Sequence, residues 1–387
     1  MRIAIYGGSF NPPHIGHAEA ARVACAALMP DRFLIMPTNI PPHKELEENS
    51  PGPEQRLEFC RLAFGDIPGA EVSDMEIRRE GKSYTADTVD ALRAQNPGAE
   101  ICLVMGTDMF LSFKSWYRWQ YLLETCMLAV LSREDFDRRE LERFQTELRT
   151  EYGARVLLIP HTPLPMSSTE IRGRLRLGLG AEDLPQAVYA CIVRNGCYDA
   201  KPDLSWLRQM AMPYLNPERI AHVSGVESQA VMLAMRWGED PDKAAVAGIL
   251  HDITKALKKE KQLKLCEKYG IMLEAAEREN AALLHARTGA ALARDRFGIS
   301  DEIEQAIRWH TTGKPDMNTL EKIIYLADYT EPTRDFDGVE ELRALCFEDL
   351  DRAMELGLRM SIEELRERGK PVFHDTLDAY NWYKNFK

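Results

Sequence analysis

Up to about residue 198 the chain alternates short apolar runs with helix-patterned segments, and after about residue 204 the short runs stop. The runs Ile3–Tyr6, Arg32–Met36, Glu71–Asp74, Ile101–Met105, Leu128–Leu131 and Val156–Ile159 read as strands. Gly16–Leu28, Pro53–Phe64 and Thr85–Gln95 read as helices between them. Such alternation predicts an α/β doubly wound parallel sheet, Rossmann-like, with ligands at the carboxyl ends of its strands. Pro217–Trp237, Asp242–His251, Asn280–Phe297, Asp301–His310 and Leu320–Tyr329 carry apolar residues at helical spacing and predict an all-α second half. Tyr198-Asp199-Ala200-Lys201-Pro202-Asp203 reads as the junction. The expected division is therefore 1–198, a linker at 199–204, and 205–387, since 387 residues exceed one ordinary core. The charged run Arg133–Arg149 reads as the solvated face of a helix.

Apolar residues make up 45% of the chain, enough for sizeable cores. The net charge of −12 argues against a nucleic-acid partner, while a local phosphate pocket remains compatible with it. The start has no secretory pattern and no apolar run is long enough for a bilayer, so the expectation is a cytoplasmic chain with no membrane partner. Eight scattered cysteines without a Cys-x-x-Cys pair predict reduced thiols rather than a zinc ribbon. A homo-oligomer stays open.

Directly after the first strand comes Gly7-Gly8-Ser9-Phe10-Asn11-Pro12-Pro13-His14-Ile15-Gly16-His17. Glycines admit a ligand close to the backbone, prolines stiffen the turn, and two imidazoles three residues apart share one face of a helix start. Free N–H groups and the positive dipole end there suit a nucleotide phosphate. Further blocks are Ile40-Pro41-Pro42-His43-Lys44, Ser83-Tyr84-Thr85-Ala86-Asp87-Thr88, Met105-Gly106-Thr107-Asp108, Trp116-Tyr117-Arg118-Trp119 and Ser167-Ser168-Thr169-Glu170-Ile171-Arg172. Ser167 to Glu170 fits a capping box.

With these blocks the first half resembles the His-x-Gly-His nucleotidyltransferases, and within them the nicotinate-nucleotide adenylyltransferases. The resemblance implies transfer of AMP from ATP to nicotinate mononucleotide, with magnesium arriving on the nucleotide. His14 and His17 would donate to the triphosphate, as the catalytic pair with Arg172. Gly7, Gly8, Ser9, Phe10, Ser167, Ser168 and Thr169 would complete the ATP site. Trp116 would stack on the pyridine ring, Tyr84 and Thr85 would meet its carboxylate, Lys44 and Arg133 would take the acceptor's phosphate, and Asp108 would orient a ribose or the nicotinate loop. Asn11 stands where many relatives have Asp, so no catalytic role is assigned to it. A different acceptor such as phosphopantetheine, or a cytidylyl donor, remains the alternative.

The second half carries His222, His251-Asp252, His285, His310 and Asp328, each on or beside an apolar helical segment. Imidazoles and carboxylates without thiolates suit a catalytic transition metal, held by ligands converging from several helices. This order resembles the HD superfamily of phosphohydrolases, in the branch that splits diadenosine tetraphosphate symmetrically. The resemblance implies iron. His222, His251, Asp252 and Asp328 would hold one ion, and His285 and His310 a second, with Asp252 bridging. Lys255 is a candidate for steadying phosphoryl oxygens, as is Arg334. His374-Asp375 is a decoy pair, read as structural or at the pocket edge because no further histidine or closing aspartate follows it. A helical half that senses a nucleotide without cleaving it is the alternative here.

Overall fold

The structure, a computed structural model, describes residues 1–42, 45–132, 138–274, 277–278 and 281–385. It divides into two compact units, Met1–Ala200 and Lys201–Lys387. The division falls within 199–204, but its flanks are ordered by side chains. Tyr198 is buried in the first unit, and Asp203 caps the helix Leu204–Ala211 by accepting from the Trp206 N–H at 3.0 Å.

In the first unit β1 (Arg2–Gly8), β2 (Arg32–Pro37), β3 (Ala70–Val72), β4 (Glu100–Gly106), β5 (Cys126–Ser132) and β6 (Arg155–Pro160) form one parallel sheet in the order β3-β2-β1-β4-β5-β6. Its inner strands are apolar runs because helices cover both faces. Ile3, Ile5, Leu103 and Val130 anchor one core, and burying each such side chain contributes about 1.5–3 kcal/mol. β3 is shorter than its apolar run suggested. After Val72 the Ser73 N–H still reaches the Ile35 carbonyl at 2.9 Å, but Asp74 then turns to pair with Arg78 at 2.7 Å.

The helices of this unit are α1 (Ile15–Leu28), α2 (Pro53–Phe64), α3 (Thr85–Gln95), α4 (Thr107–Leu111), α5 (Trp119–Thr125), α6 (Arg138–Tyr152), α7 (Ser168–Leu175) and α8 (Gln186–Arg194). α6 turns Leu141 and Leu148 into the core and its charges outward. The chain leaves β1 toward β2 and returns on the other side at β4, so a crevice opens at the strand ends between them.

Among its described residues the second unit has helices and no strand. It contains α9 (Leu204–Ala211), α10 (Ile220–Trp237), α11 (Pro241–Leu250), α12 (Lys259–Lys268), α13 (Ala281–Phe297), α14 (Asp301–Trp309), α15 (Thr319–Thr330), α16 (Val339–Glu348), α17 (Leu350–Glu367) and α18 (His374–Lys384). Val226, Ile249, Ala293, Ile307 and Leu326 belong to its core, one from each of five helices. Among the described residues no helix is long and apolar enough to cross a membrane. All eight cysteines are free thiols.

Candidate active sites

The crevice at the β1 and β4 ends is a cavity of about 480 Å³. Gly7, Gly8, Ser9, Phe10 and His17 line one side, and Tyr84, Thr85 and Trp116 line another. Two glycines there are explained by space. A Cβ on Gly8 would lie 3.1 Å from the Phe10 ring, which folds back beneath the loop with Phe10 at φ +43°. A Cβ on Gly16 would lie 3.1 Å from His14 Nδ1, so the residue just before His17 is small because the first ring occupies its place.

The histidines act on each other. The His14 backbone N–H donates to His17 Nδ1 at 3.3 Å, and a ring nitrogen that accepts leaves the proton on Nε2. Burial holds His14 down to about 4, and burial together with the His14 charge holds His17 well below its ordinary value. Both are therefore neutral donors at pH 7 in the absence of an anion.

Three buried side chains, Arg56, Asn11 and Arg172, fix the loop. Arg56 donates to the carbonyls of Ser9 and Asn39, both at 2.8 Å. Asn11 donates to Ser50 Oγ at 2.9 Å and accepts from the Tyr198 hydroxyl at 2.7 Å, which explains its burial without a catalytic role. Arg172 donates to the Asn11 carbonyl at 2.8 Å and also holds Glu47 and Thr169. The Arg172 side chain is 3% exposed, and its guanidinium meets the loop and a carboxylate beneath the histidine segment.

Ser167 caps α7 by accepting from the Glu170 N–H at 3.2 Å, and Ser168 Oγ donates to the Pro12 carbonyl at 2.9 Å. The α7 start is thus tied to the histidine loop, although Ser167, Ser168 and Thr169 do not line the cavity. Asp108 is exposed on the first turn of α4 between Gly106 and Met109, which do line it. Lys44 and Arg133 lie outside the described residues.

In the second unit the six expected ligands meet. His222 comes from α10, His251 and Asp252 follow α11, His285 lies on α13, His310 follows α14, and Asp328 lies on α15. Small residues bring the helices together: a Cβ on Gly248 would lie 2.8 Å from Glu227 Cα, and one on Gly289 would lie 3.3 Å from the His251 carbonyl. His222 Nε2 and His251 Nε2 approach to 3.3 Å, and His285 Nε2 and His310 Nε2 to 3.1 Å. Asp252 stands between the pairs. Its Oδ2 is 3.3 Å from His251 and 3.7 Å from His222, while its Oδ1 is 3.2 Å from His285 and 3.7 Å from His310. Asp328 Oδ1 lies 3.1 Å from His222.

These residues fit a metal on electronic grounds. His251 Nδ1 faces the Gly248 carbonyl at 2.8 Å and His310 Nδ1 the Ile307 carbonyl at 2.6 Å. A carbonyl only accepts, so each Nδ1 carries the proton and each Nε2 presents a lone pair. His222 is held the same way by the Glu331 carboxylate at 3.0 Å. Burial keeps His251 well below its usual value and His310 down to about 4, so both stay neutral. Lone pairs on His222 and His251 at 3.3 Å repel unless a cation sits between them. Three cations ring the acidic side: Arg219 bonds Asp252, Lys255 lies 3.3 Å from Asp252 Oδ2, and Arg334 donates to Asp328 Oδ1 at 2.8 Å. Arg219 and Glu331 escaped the sequence reading because each acts on a residue far along the chain. His374 is largely exposed at the start of α18, beside Asp375 at 3.3 Å.

Known proteins divide along the same line. A cytidylyltransferase-like family model matches residues 5–174, and an HD domain model matches residues 219–333. The chain is 40% identical over 169 residues to the symmetrical bis(5'-nucleosyl)-tetraphosphatase of Bacillus subtilis, covering 43% of this chain and 90% of that protein. It is 35% identical over 208 residues to a Halorhodospira halophila protein named probable nicotinate-nucleotide adenylyltransferase, covering 51% and 94%. A Clostridium acetobutylicum crystal structure, described as a predicted HD superfamily hydrolase involved in NAD metabolism, is 38% identical with a TM-score of 0.47, covering 49% of this chain and all of that one.

The molecule is thus a nucleotidyltransferase module joined to an HD module that implies a divalent metal. More narrowly, the chain belongs to the nicotinate-nucleotide adenylyltransferases and, through its HD module, to the symmetrical bis(5'-nucleosyl)-tetraphosphatase type.

Proposed function

We propose that the chain is a bifunctional enzyme. Its first unit transfers AMP from ATP to nicotinate mononucleotide, and its second hydrolyses diadenosine tetraphosphate to two ADP. In the first reaction a phosphate oxygen of the mononucleotide bonds to the α-phosphorus of ATP, and the electron pair of the broken bond leaves on pyrophosphate. No covalent nucleophile is needed, so positioning and charge stabilisation do the work. His17 Nε2–H is a preset donor for the phosphoryl oxygens, His14 supports it, and the start of α1 adds backbone N–H groups. Magnesium travels with the triphosphate, held by its oxygens. The apolar wall at Trp116, beside the helix start at Tyr84 and Thr85, suits a flat pyridine ring bearing a carboxylate.

Stacking there is worth about 0.5–1.5 kcal/mol beyond burial. Trp116→Ala is accordingly expected to raise KM for nicotinate mononucleotide about tenfold and KM for ATP less than twofold, read in a pyrophosphate-release assay. Equal effects on both substrates would remove the stacking role. Supplying each acceptor in turn decides the substrate, and a preference for phosphopantetheine would overturn the assignment.

The second activity rests chiefly on one observation, the Asp252 carboxylate placed between two imidazole pairs. His222, His251, Asp252 and Asp328 would hold one ion, and His285 and His310 with Asp252 a second, with iron as the proposed metal. An ion bound there supplies Lewis acidity and lowers the pKa of a nearby water. The residues of the chain orient the polyphosphate: Arg219, Lys255 and Arg334 face the same carboxylates and offer charge to phosphoryl oxygens. Water adds to one central phosphorus, the bridging P–O bond breaks, and two ADP result. ADP release from diadenosine tetraphosphate with added ferrous iron, lost in His251→Ala, is the expected result. No release with any divalent metal would favour a nucleotide sensor.

A further inference from the structure

We propose that Glu331 is the positioning residue of the HD centre, gripping His222 from behind, and that Gly225 is glycine in order to admit it. This rests on the reading of that centre as a metal site. Three of the imidazoles have a backing contact on Nδ1, and they differ. His251 and His310 use carbonyls three residues back in their own helical turns, which are set by local geometry alone. His222 instead uses a carboxylate 109 residues away, with Nδ1 to Glu331 Oε1 at 3.0 Å.

That carboxylate is wholly buried and held from its own side. The Thr333 N–H donates to Oε2 at 2.7 Å, the Thr333 hydroxyl donates to Oε1, and Arg334 Nε lies 3.6 Å away. The room for it is made by α10. A Cβ on Gly225 would sit 2.5 Å from Glu331 Oε2 and 3.3 Å from Cδ, so the carboxylate would have to move and loosen its bonds to His222 and Thr333. His222 and Gly225 are one turn apart on that helix, so a single face both receives the carboxylate and clears its path.

The end of α15 therefore holds one imidazole from both sides. Asp328 faces Nε2 at 3.1 Å, and Glu331, three residues on, faces Nδ1. With the Nδ1 proton fixed, the Nε2 lone pair points at the site before any ion arrives, so binding costs no tautomer change or ring rotation.

The test uses the full chain and cobalt(II) alone, followed by its visible absorption and by chelator competition. Glu331→Ala is expected to weaken cobalt binding about 10- to 100-fold and to alter the band pattern. Glu331→Gln, which keeps an acceptor oxygen, should recover most of that loss. Gly225→Ala tests the same idea with every carboxylate left in place, and should lose affinity to the same degree through displacement of Glu331. Wild-type cobalt affinity in both Glu331→Ala and Gly225→Ala overturns the proposal. So does equal loss in the Gln and Ala variants, which would mark a structural charge. If the unaltered chain binds no cobalt, the metal reading falls and this one with it.

Discussion

Replacing His17 by alanine should lower kcat for dinucleotide formation by about 10²- to 10³-fold, the cost of one preorganised donor at a site where charge develops. KM for ATP should change little, because the loop glycines and helix starts proposed to bind the ground-state triphosphate remain. The size of the effect follows from how the ring is prepared. His17 Nδ1 is occupied by the His14 N–H, its proton therefore sits on Nε2, and burial keeps the ring neutral until an anion arrives. A neutral donor fixed in a low-dielectric crevice stabilises growing charge without reorganising, which a water replacing it could not do. Asparagine at the same position restores a donor on a shorter arm and should recover part of the loss. The measurement is steady-state release of pyrophosphate, with the hydrolysis of diadenosine tetraphosphate proposed for the other unit as the internal control, expected unchanged. A kcat within threefold of the unaltered enzyme would show that His17 only shapes the loop.

Much of this could be read from sequence because it is local. Six apolar runs became six parallel strands, and Pro53–Phe64 and Thr85–Gln95 matched their helices to the residue. The two histidines, their glycine and the six candidate metal ligands lie in short blocks whose spacing is itself the signal. Pairings over long separations were hidden. The bond from Arg172 to the Asn11 carbonyl, 161 residues earlier, has no signal in the capped helix start that Arg172 follows. Arg56 reads as one more surface charge on α2 until its two carbonyl partners are seen. Glu331 passed unnoticed beside Pro332, since no local pattern distinguishes a carboxylate that backs a distant imidazole. The glycines at 225, 248 and 289 share this property: each is small because of a group elsewhere in the fold.

Asp252→Asn in the full chain should abolish hydrolysis of diadenosine tetraphosphate, by about 10³-fold or more, since Lewis-acid stabilisation worth several kcal/mol depends on that carboxylate. The reason is the division of labour between its oxygens. Oδ2 serves His251 and His222 while Oδ1 serves His285 and His310, so both imidazole pairs share one side chain. An amide keeps the shape but offers one oxygen, and its NH₂ would donate to the lone pairs that should bind metal. It also removes the negative charge that Arg219 and Lys255 now face, leaving two cations beside an uncharged group. The effect should therefore appear first in composition: metal analysis of protein purified without oxygen should show less metal per chain than in the unaltered protein, whatever the substrate. Adenylyl transfer should stay within twofold, because the first unit has its own core and its own crevice. Loss of hydrolysis with full metal retention would assign Asp252 to substrate rather than metal. Retention of both would remove it from the centre and leave the two imidazole pairs without their common ligand.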